Sequence, residues 1–502
     1  MEAHKLKRVV IAGGGTAGWI AAAALIKHLG PLVEVTLVES DEIGTVGVGE
    51  STIPTARAFH GFLGIYEQAF IKATTSTFKL GIEFENWRKP GDRYFHAFGS
   101  VGKSMWIADF QHFWLEAARQ GFGGDYIDYS LEAQAAKANR FETHEGAPIG
   151  YAYHLDATAY AKFLRGLAEP AGVRRVEGKI QHVAQNPESG FVEALELESG
   201  LRIEGDLFLD CTGFRALLSE QTLKTGFEDW DEWLFNDAAF AVQTESQGPL
   251  VPYTRAIAHE TGWRWRIPLQ HRMGNGFVFS TDYISPDEAK AKFIDALESK
   301  PLFDPRLLRF KPGMRKKSWN RNVIALGLAS GFVEPLESTS IHQIMITVTR
   351  LIQNFPFDGI TSSAVDRFND QSRRESEHIR DFIILHYKLT ERDDSPYWRR
   401  CRDMTIPASL AERIALFREA AVAYQANEDL FRSDSWVMVM LGQGIFPQSY
   451  HHAARMMEPA QLQRALGDLK ARIAHEVSHL SDHGAFVAGY APADVEPIKA
   501  PA

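Results

Sequence analysis

The stretch KRVVIAGGGTAG, residues 7–18, decides the fold of this chain. Its apolar first half predicts a buried parallel strand, and the alanine-rich residues 19–29 predict a helix. Between them, Gly13, Gly15 and Gly18 have the spacing of a dinucleotide-binding turn. Glycines there permit a tight bend, close approach of a pyrophosphate and close packing of the helix on the strand. The sequence therefore predicts a Rossmann-type domain.

A second strand over residues 33–38 ends at Glu39, where the fold expects a carboxylate for a ribose hydroxyl. Two later segments favour FAD over NAD as the nucleotide. Residues 205–214 and 322–329 resemble later flavoprotein segments, so the cofactor domain is expected to use well-separated parts of the chain. The FAD contacts predicted in these segments are Gly13, Gly15, Thr16, Ala17, Gly18, Glu39 and Gly327.

The composition is that of an ordinary globular protein. The 502 residues are 45% hydrophobic and 24% charged, with a formal net charge of −10, which argues against a nucleic-acid partner. Cys211 and Cys401 supply neither a disulfide framework nor the ligand pairs of a zinc finger, which is typical of a reducing cytoplasm. We find no signal peptide and no membrane-spanning run, and expect a cytoplasmic protein without a membrane partner.

The chain is predicted to be α/β, with a flavin-monooxygenase-like FAD domain over residues 1–345 and a mainly helical module over residues 346–502. Hydrophobic periodicity predicts helices in the later part of the chain. They are expected at residues 341–355, 364–387, 407–426 and 459–480.

Two tryptophans, Trp263 and Trp265, stand two residues apart in the stretch GWRWRIP at residues 262–268. On an extended chain they share one face. Considered alone, such a pair is better explained by core packing of a strand. The motif W-x-W-x-I-P, however, resembles the signature of the flavin-dependent halogenases of the tryptophan halogenase family.

Other motifs extend this resemblance over most of the chain. They are GVGESTIP at residues 47–54, FKLGIEFENW at 78–87, YFHAFG at 94–99, EPLEST at 334–339, DFIILHY at 381–387 and SPYW at 395–398. For the last two motifs we predict packing between helices rather than a catalytic role.

The resemblance implies roles for particular residues. Lys79 is the family's essential lysine, which either donates hydrogen bonds to an oxidised halogen species or captures the halogen as a haloamine. Glu337 helps the arene lose its proton, and the backbone amides of Thr339 and Ser340 bind the halide. His96 and Phe98 belong to the substrate pocket, where Trp263 and Trp265 separate flavin from substrate. The same motifs add Gly49, Glu50, Ser51 and Leu336 to the expected FAD contacts.

The implied function is a two-component halogenase. Reduced FAD comes from a separate NAD(P)H-dependent flavin reductase, chloride or bromide is oxidised to hypohalous acid with O2, and a small electron-rich aromatic is halogenated. The substrate is expected to be indole-like, because residues 434–444 lack the charged clamp with which tryptophan-specific members hold an amino acid, and are instead apolar. A homodimer is compatible with the sequence. The alternatives are a single-component FAD-dependent aromatic hydroxylase and a non-catalytic flavin-binding redox protein.

A competing motif, His475-Glu476-Val477-Ser478-His479, has the H-E-x-x-H pattern of zinc hydrolases. Only 23 residues follow it, and His483 does not have the longer metzincin spacing. We therefore predict a polar helix face here and no metal site.

Overall fold

The computed structural model describes residues 5–43, 49–144 and 149–494. Within these ranges, and numbered along the chain, the strands are β1 Arg8–Ala12, β2 Glu34–Glu39, β3 Gly49–Ser51, β4 Thr77–Lys79, β5 Gly81–Glu85, β6 Arg93–Ala97, β7 Ala152–Asp156, β8 Arg174–Glu177, β9 Ile180–Gln185, β10 Val192–Leu197, β11 Arg202–Glu204, β12 Leu207–Asp210, β13 Phe227–Asp229, β14 Ala238–Glu245, β15 Thr254–His259, β16 Gly262–Pro268, β17 Arg272–Phe279, β18 Arg306–Arg309, β19 Gly313–Arg315, β20 Trp319–Asn320, β21 Val323–Ala325 and β22 Gly331–Phe332.

The helices of the same ranges are α1 Thr16–Leu29, α2 Thr55–Leu63, α3 Glu67–Ala73, α4 Phe110–Arg119, α5 Leu131–Lys137, α6 Ala157–Ala168, α7 Pro286–Asp295, α8 Ser340–Gln353, α9 Ser362–Lys388, α10 Pro396–Asp403, α11 Ala408–Ala420, α12 Ser433–Gly442, α13 Pro459–His479 and α14 His483–Tyr490. The helices predicted in the later part of the chain correspond to α8, α9, α11 and α13.

The nucleotide-binding part is a mainly parallel sheet in the order β20-β21-β12-β1-β2-β8. β1 pairs in parallel with β2 on one side and with β12 on the other, and β12 pairs in parallel with β21. The segments predicted at residues 7–12, 33–38, 205–214 and 322–329 thus meet in one sheet. This confirms the predicted Rossmann-type α/β fold.

A second, mixed sheet runs in the order β18-β14-β17-β16-β15-β5-β6. The tryptophan pair lies in its interior strand β16, and His96 lies in its edge strand β6. A short sheet in the order β3-β7-β4 carries Ser51 at one edge and Lys79 at the other. The two remaining three-stranded sheets, β11-β10-β9 and β13-β19-β22, contain none of the predicted site residues. Among the described residues, no helix is long and apolar enough to cross a bilayer.

Two buried histidines support the strand that carries Lys79. His154 Nδ1 donates to Thr77 Oγ1 at 3.0 Å, since that hydroxyl donates to the Pro268 carbonyl, and Nε2 lies 2.9 Å from Thr254 Oγ1. His483 Nδ1 donates to the Leu250 carbonyl at 2.7 Å, and its Nε2 accepts from the backbone N–H of Phe78 at 3.3 Å. An Nε2 that accepts carries no proton, so the His483 ring is neutral.

We expect the free energy of unfolding to fall as the pH is lowered from about 6.5 toward 4. Burial lowers the pKa of His483 to about 4 and that of His154 well below its usual value. In this pH range the two histidines become protonated in the unfolded chain but stay neutral in the native protein. Each histidine therefore lowers the free energy of unfolding by up to about 1.4 kcal/mol per pH unit. Urea unfolding at pH 7 and pH 5 measures the difference. In His483→Gln, which cannot titrate, the decline should be shallower; an equally steep decline would contradict a neutral His483.

Candidate active site

The end of β1 and the start of α1 form a groove whose shape fits a nucleotide. Gly13 has a φ of 108°, and a Cβ there would overlap the Cys211 carbonyl; a Cβ on Gly18 would overlap the Gly13 carbonyl. At Gly15, by contrast, an added Cβ would have no protein atom within 4 Å. No side chain caps the N-terminus of α1, so the amides of its first turn, at Thr16 and Ala17, lack a side-chain acceptor. Open space beside an uncapped helix N-terminus is what a pyrophosphate requires.

Two other predicted cofactor residues, Gly327 and Glu39, lie beside this groove. Gly327 has a φ of 59° and places its Cα against the Ala17 side chain, so the late turn meets the first turn of α1. The Glu39 carboxylate lies against Gly14 and accepts from Trp19 Nε1 at 3.3 Å. Burial raises the pKa of Glu50 to about 7. Leu336 has a buried side chain, and Gly47 and Val48 of the predicted loop lie outside the described residues.

Lys79 ends β4 with 0% of its surface exposed. Its Nζ donates to Ser338 Oγ at 2.8 Å, to Ser51 Oγ at 3.2 Å and to the Thr52 carbonyl at 3.4 Å. The two serine hydroxyls lie 2.6 Å apart, so the two oxygens and the Lys79 nitrogen form a triangle. Nζ also lies 5.1 Å from the ring centroid of Phe98, which is half-buried. Burial lowers the pKa of Lys79 to about 7, although the charge of Glu337 opposes this.

Glu337 follows a proline in a tight turn over residues 335–337 and also has 0% exposure. His96 Nδ1 lies 2.9 Å from Oε2 and 3.0 Å from Oε1, and His386 Nε2 lies 3.0 Å from Oε1. Burial alone would raise the pKa of Glu337, but the two imidazoles lower it to about 2. The carboxylate is therefore ionised at neutral pH.

The next residues bring an uncapped helix end to the same place. Ser338 has a φ of 59°, and α8 begins two residues later without a side-chain cap. The hydroxyl of Thr339 is buried and has no hydrogen-bond partner among the described residues. An uncapped helix N-terminus with an unpartnered hydroxyl fits an anion. Thr339 and Ser340, predicted to bind halide, occupy this position.

Trp263 and Trp265 lie on one face of β16, with ring centroids 6.0 Å apart at an angle of 55°. Both indoles are buried. Trp263 Nε1 donates to Glu334 Oε2 at 2.9 Å, and Glu334 also accepts from Asn236 and Tyr387. Glu334 begins the same EPLEST turn that carries Glu337, so the turn is joined directly to the tryptophan pair.

The sequence and the fold have known relatives. The family model described as tryptophan halogenase matches residues 8–459. A flavin-dependent halogenase of known structure from Xanthomonas campestris is 51% identical, with a TM-score of 0.97 over 98% of this chain and 100% of its own. BrvH, a flavin-dependent halogenase from Brevundimonas sp. BAL3, is 42% identical, with a TM-score of 0.93 over 97% of this chain and 100% of its own. Tryptophan 7-halogenase RebH from Lentzea aerocolonigenes is 33% identical over 89% of this chain and 91% of its length.

The chain belongs to the tryptophan halogenase family. It is a flavin-dependent halogenase, with FAD as the cofactor of its Rossmann-type part. The resemblance drawn from the motifs is thereby confirmed. The comparisons favour a halogenase over both an aromatic hydroxylase and a non-catalytic flavin protein.

The prediction of helix packing for the motif DFIILHY of α9 needs a correction, because it left out two contacts with the candidate site. His386 contacts the carboxylate of Glu337, and the Tyr387 hydroxyl donates to Glu334. The signal was in the sequence: a histidine and a tyrosine, both with polar groups, stand side by side at the end of an otherwise apolar run. Buried polar groups need partners, and these partners are the two glutamates of the EPLEST turn.

The segment 434–444 needs a second correction. The side chains of Trp436, Met438 and Met440 are buried within α12, and Trp436 packs edge-on against Phe382 at 4.9 Å. They contribute to the core, so their apolar character does not by itself describe the substrate pocket. Arg432 and Asp434 at the start of α12 pair with each other at 3.3 Å.

The H-E-x-x-H motif lies on the surface of α13. His475, Glu476 and His479 are exposed, and the two imidazoles pack edge-on with centroids 4.3 Å apart. Among the described residues, no group of three or more potential ligands is arranged to hold a metal ion. The exposed histidines give α13 a polar face, as predicted.

We expect Gly15→Ala to weaken FAD binding at least tenfold without changing the stability of the flavin-free protein. The added methyl group meets no protein atom within 4 Å, but it occupies the space that the groove offers to a pyrophosphate. FAD fluorescence titration and urea unfolding of the flavin-free protein measure the two effects.

Gly13→Ala is the matched control. Its Cβ would overlap the Cys211 carbonyl at a positive φ, so this variant should lose about 1–3 kcal/mol of stability even without flavin. If a stably folded Gly15→Ala bound FAD as tightly as the parent protein, the cofactor would have to bind elsewhere.

Proposed function

We propose that this halogenase oxidises chloride or bromide and transfers the halogen to an indole-like arene, with Lys79 and Glu337 as its catalytic residues. The observation that carries this proposal is that both side chains reach one place, here called the junction, where Lys79 meets the turn that holds Glu337. Lys79 Nζ is hydrogen-bonded to Ser338, the residue next to Glu337, and lies 5.1 Å from the Phe98 ring. An arene stacked on Phe98 would therefore lie between a nitrogen that can present the halogen and a carboxylate that can accept the proton.

The flavin would bind along the groove at Gly13, Gly15 and Gly18. Bound in its reduced form, FAD would supply two of the four electrons that reduce O2, and the halide would supply the other two, so that one oxygen atom ends in hypohalous acid and the other in water. We propose that a separate flavin reductase provides the reduced cofactor. The uncapped start of α8, with the amides of Thr339 and Ser340 and the unpartnered Thr339 hydroxyl, supports a halide site beside the flavin.

Lys79 would hold the oxidant at the arene. With a pKa of about 7, it has both protonation forms available near neutral pH. As an ammonium it would donate a hydrogen bond to the oxygen of hypohalous acid; as an amine it would release water and become a haloamine, which then returns to the amine as halogen replaces a ring proton. In either route one ring hydrogen is replaced, and one water is released per hypohalous acid.

Glu337 would stabilise the arene cation and accept its proton. A carboxylate is the form required for this role, and the contacts with His96 and His386 favour that form. The same contacts make Glu337 a weak base, with its pKa at about 2. A weak base suffices, because the proton of a halogenated arene cation is strongly acidic.

The tryptophan pair would separate the two reactions. Both indoles are buried in β16, and Trp263 is anchored by a hydrogen bond to Glu334, so neither ring is free to swing aside. An arene on one side could not reach the flavin, whereas the small oxidant could pass.

The relative RebH is named a tryptophan 7-halogenase, but an amino-acid clamp is not evident in this chain. Arg432 and Asp434, the charged groups at the start of α12, pair with each other and so do not offer free charges to a zwitterion. An indole without ammonium and carboxylate groups is therefore the better substrate class.

The direct test is mass spectrometry of indole incubated with the protein, FAD, a flavin reductase, NADH and either chloride or bromide. We expect a product with the isotope pattern of the added halogen, formed only when reduced flavin is supplied. A hydroxylated product formed without halide would indicate the hydroxylase instead, and FAD binding with no product from any arene would indicate a redox protein. Free tryptophan is tested in parallel. If the missing clamp excludes amino acids, tryptophan should be halogenated more slowly than indole.

We expect Lys79→Ala to abolish halogenation while FAD binding and O2-dependent flavin oxidation persist, because oxidant formation does not involve the lysine. Product yield and flavin absorbance measure the two processes separately. Lys72→Ala, which removes a half-exposed lysine on α3, serves as the control and should halogenate normally. Halogenation by Lys79→Ala at near the parental rate would disprove the assignment.

The dependence of the rate on pH distinguishes the two forms of Lys79. Product formed per flavin oxidised should rise as the pH passes upward through about 7 if the neutral amine carries the halogen, and should fall if the ammonium is the active form. Normalising to flavin oxidation removes the pH dependence of oxidant formation. A ratio that stays constant from pH 6 to pH 8 would contradict both routes through a titrating lysine.

A further inference from the structure

A chain of three side chains begins at the Oε1 atom of Glu337. His386 Nε2 lies 3.0 Å from Glu337 Oε1, and its Nδ1 lies 2.7 Å from the Tyr94 hydroxyl. The side-chain amide of Gln443 completes the chain, with its Nε2 at 3.2 Å from the Tyr94 oxygen and 2.8 Å from the backbone carbonyl of His386. These residues come from β6, from the end of α9 and from the residue after α12.

The strand and helix geometry explains how these residues meet. Tyr94 and His96 are two apart on β6 and so share a face. α12 can approach that face because Gly442 lies directly against the Tyr94 ring, where a Cβ would overlap. The rings of Tyr94 and Phe84 stack at 4.7 Å, and Phe84 stacks on His386 at 4.5 Å, so the aromatic planes are fixed.

One assignment of donors and acceptors gives the Tyr94 proton an acceptor and places a proton on the nitrogen nearest Glu337. The His386 carbonyl accepts, so the Gln443 nitrogen must face it, and the same N–H2 group donates to the Tyr94 oxygen. The Tyr94 hydroxyl is then free to donate its proton to His386 Nδ1. An Nδ1 that accepts carries no proton, so the single proton of a neutral ring sits on Nε2, 3.0 Å from Glu337 Oε1.

A charged His386 would have a proton on both ring nitrogens, so Nδ1 could not accept from Tyr94. The ring is fully buried, and burial lowers its pKa even though Glu337 opposes that shift. The titratable groups that face Glu337 are His96 and Tyr94 from β6, His386 from α9 and Lys79 from β4. A neutral donor at His386 orients the carboxylate without cancelling its charge, whereas an imidazolium there would compete with the arene cation.

We propose that Tyr94 and Gln443 are positioning residues that fix His386 in the neutral Nε2–H tautomer, so that it holds Glu337 toward the substrate. This proposal rests on the role proposed above for Glu337. Neither Tyr94 nor Gln443 contacts the carboxylate; both act through His386.

Tyr94→Phe removes one oxygen and keeps the ring stacked on Phe84. We expect kcat for halogenation to fall about tenfold, the effect of one lost hydrogen bond in a buried chain. The KM for the arene and the rate of flavin oxidation should stay unchanged. Tyr129→Phe, which removes another buried tyrosine hydroxyl, one that donates to the Gly123 carbonyl, is the matched control and should leave kcat unchanged.

A double-mutant cycle separates positioning from a merely structural role. His386→Gln keeps an N–H donor toward Glu337 but has no tautomer to fix, so adding Tyr94→Phe to it should change kcat by less than twofold. Effects that multiply in the double variant would overturn the proposal. So would an unchanged kcat in Tyr94→Phe.

The tautomer can be measured without any activity. In protein labelled with 15N-histidine, the His386 resonances, assigned with His386→Gln, should show a protonated Nε2 and an unprotonated Nδ1 at pH 7, and this pattern should be lost in Tyr94→Phe. A parent protein with both nitrogens protonated, or with the proton on Nδ1, would overturn the proposal. If the parent made no halogenated product, the proposed function would fail, and the tautomer would still be decided by this spectrum.

Discussion

The site depends on burying two opposite charges close together without pairing them. Lys79 is held by the hydroxyls of Ser51 and Ser338, and Glu337 by the imidazoles of His96 and His386. Among the described residues, no ion pair joins the lysine to the glutamate. A direct pair would satisfy both charges and leave little for a reacting species. Keeping them on separate partners preserves a donor for the oxidant and a carboxylate for the arene.

That constraint explains why three of the neighbouring histidines are neutral. Burial lowers the pKa of His154, the hydrogen bond from the Phe78 N–H fixes a neutral His483, and His386 faces Glu337 as a neutral ring. A further charge at any of these positions would shift the balance between the ammonium and the amine, or weaken the carboxylate. The low pKa of Lys79 is therefore a property of the whole junction and not of one contact.

The sequence predicted the fold and the two catalytic candidates because their signals are local. Three glycines mark the turn after β1, and Lys79 and Glu337 lie within short motifs. It did not predict their partners, since Ser51, Ser338 and His386 reach the junction from segments far apart in the chain. His386 was assigned to packing because an apolar run at the end of a helix predicts burial, and the residue is indeed buried. The apolar run does not indicate which partner the buried imidazole will contact. The boundary near residue 345 stays a prediction.

Two glutamates three residues apart show how environment assigns different roles to one residue type. Burial raises the pKa of Glu334, which accepts hydrogen bonds from the neutral donors Trp263, Tyr387 and Asn236. Burial has the same tendency at Glu337, but the imidazoles reverse it. Shifts in opposite directions within one turn fit a structural carboxyl at Glu334 and the proposed base at Glu337. Since Glu334 anchors Trp263, the turn that positions the proposed base also positions the tryptophan pair, and a displacement of either would disturb both of the proposed steps.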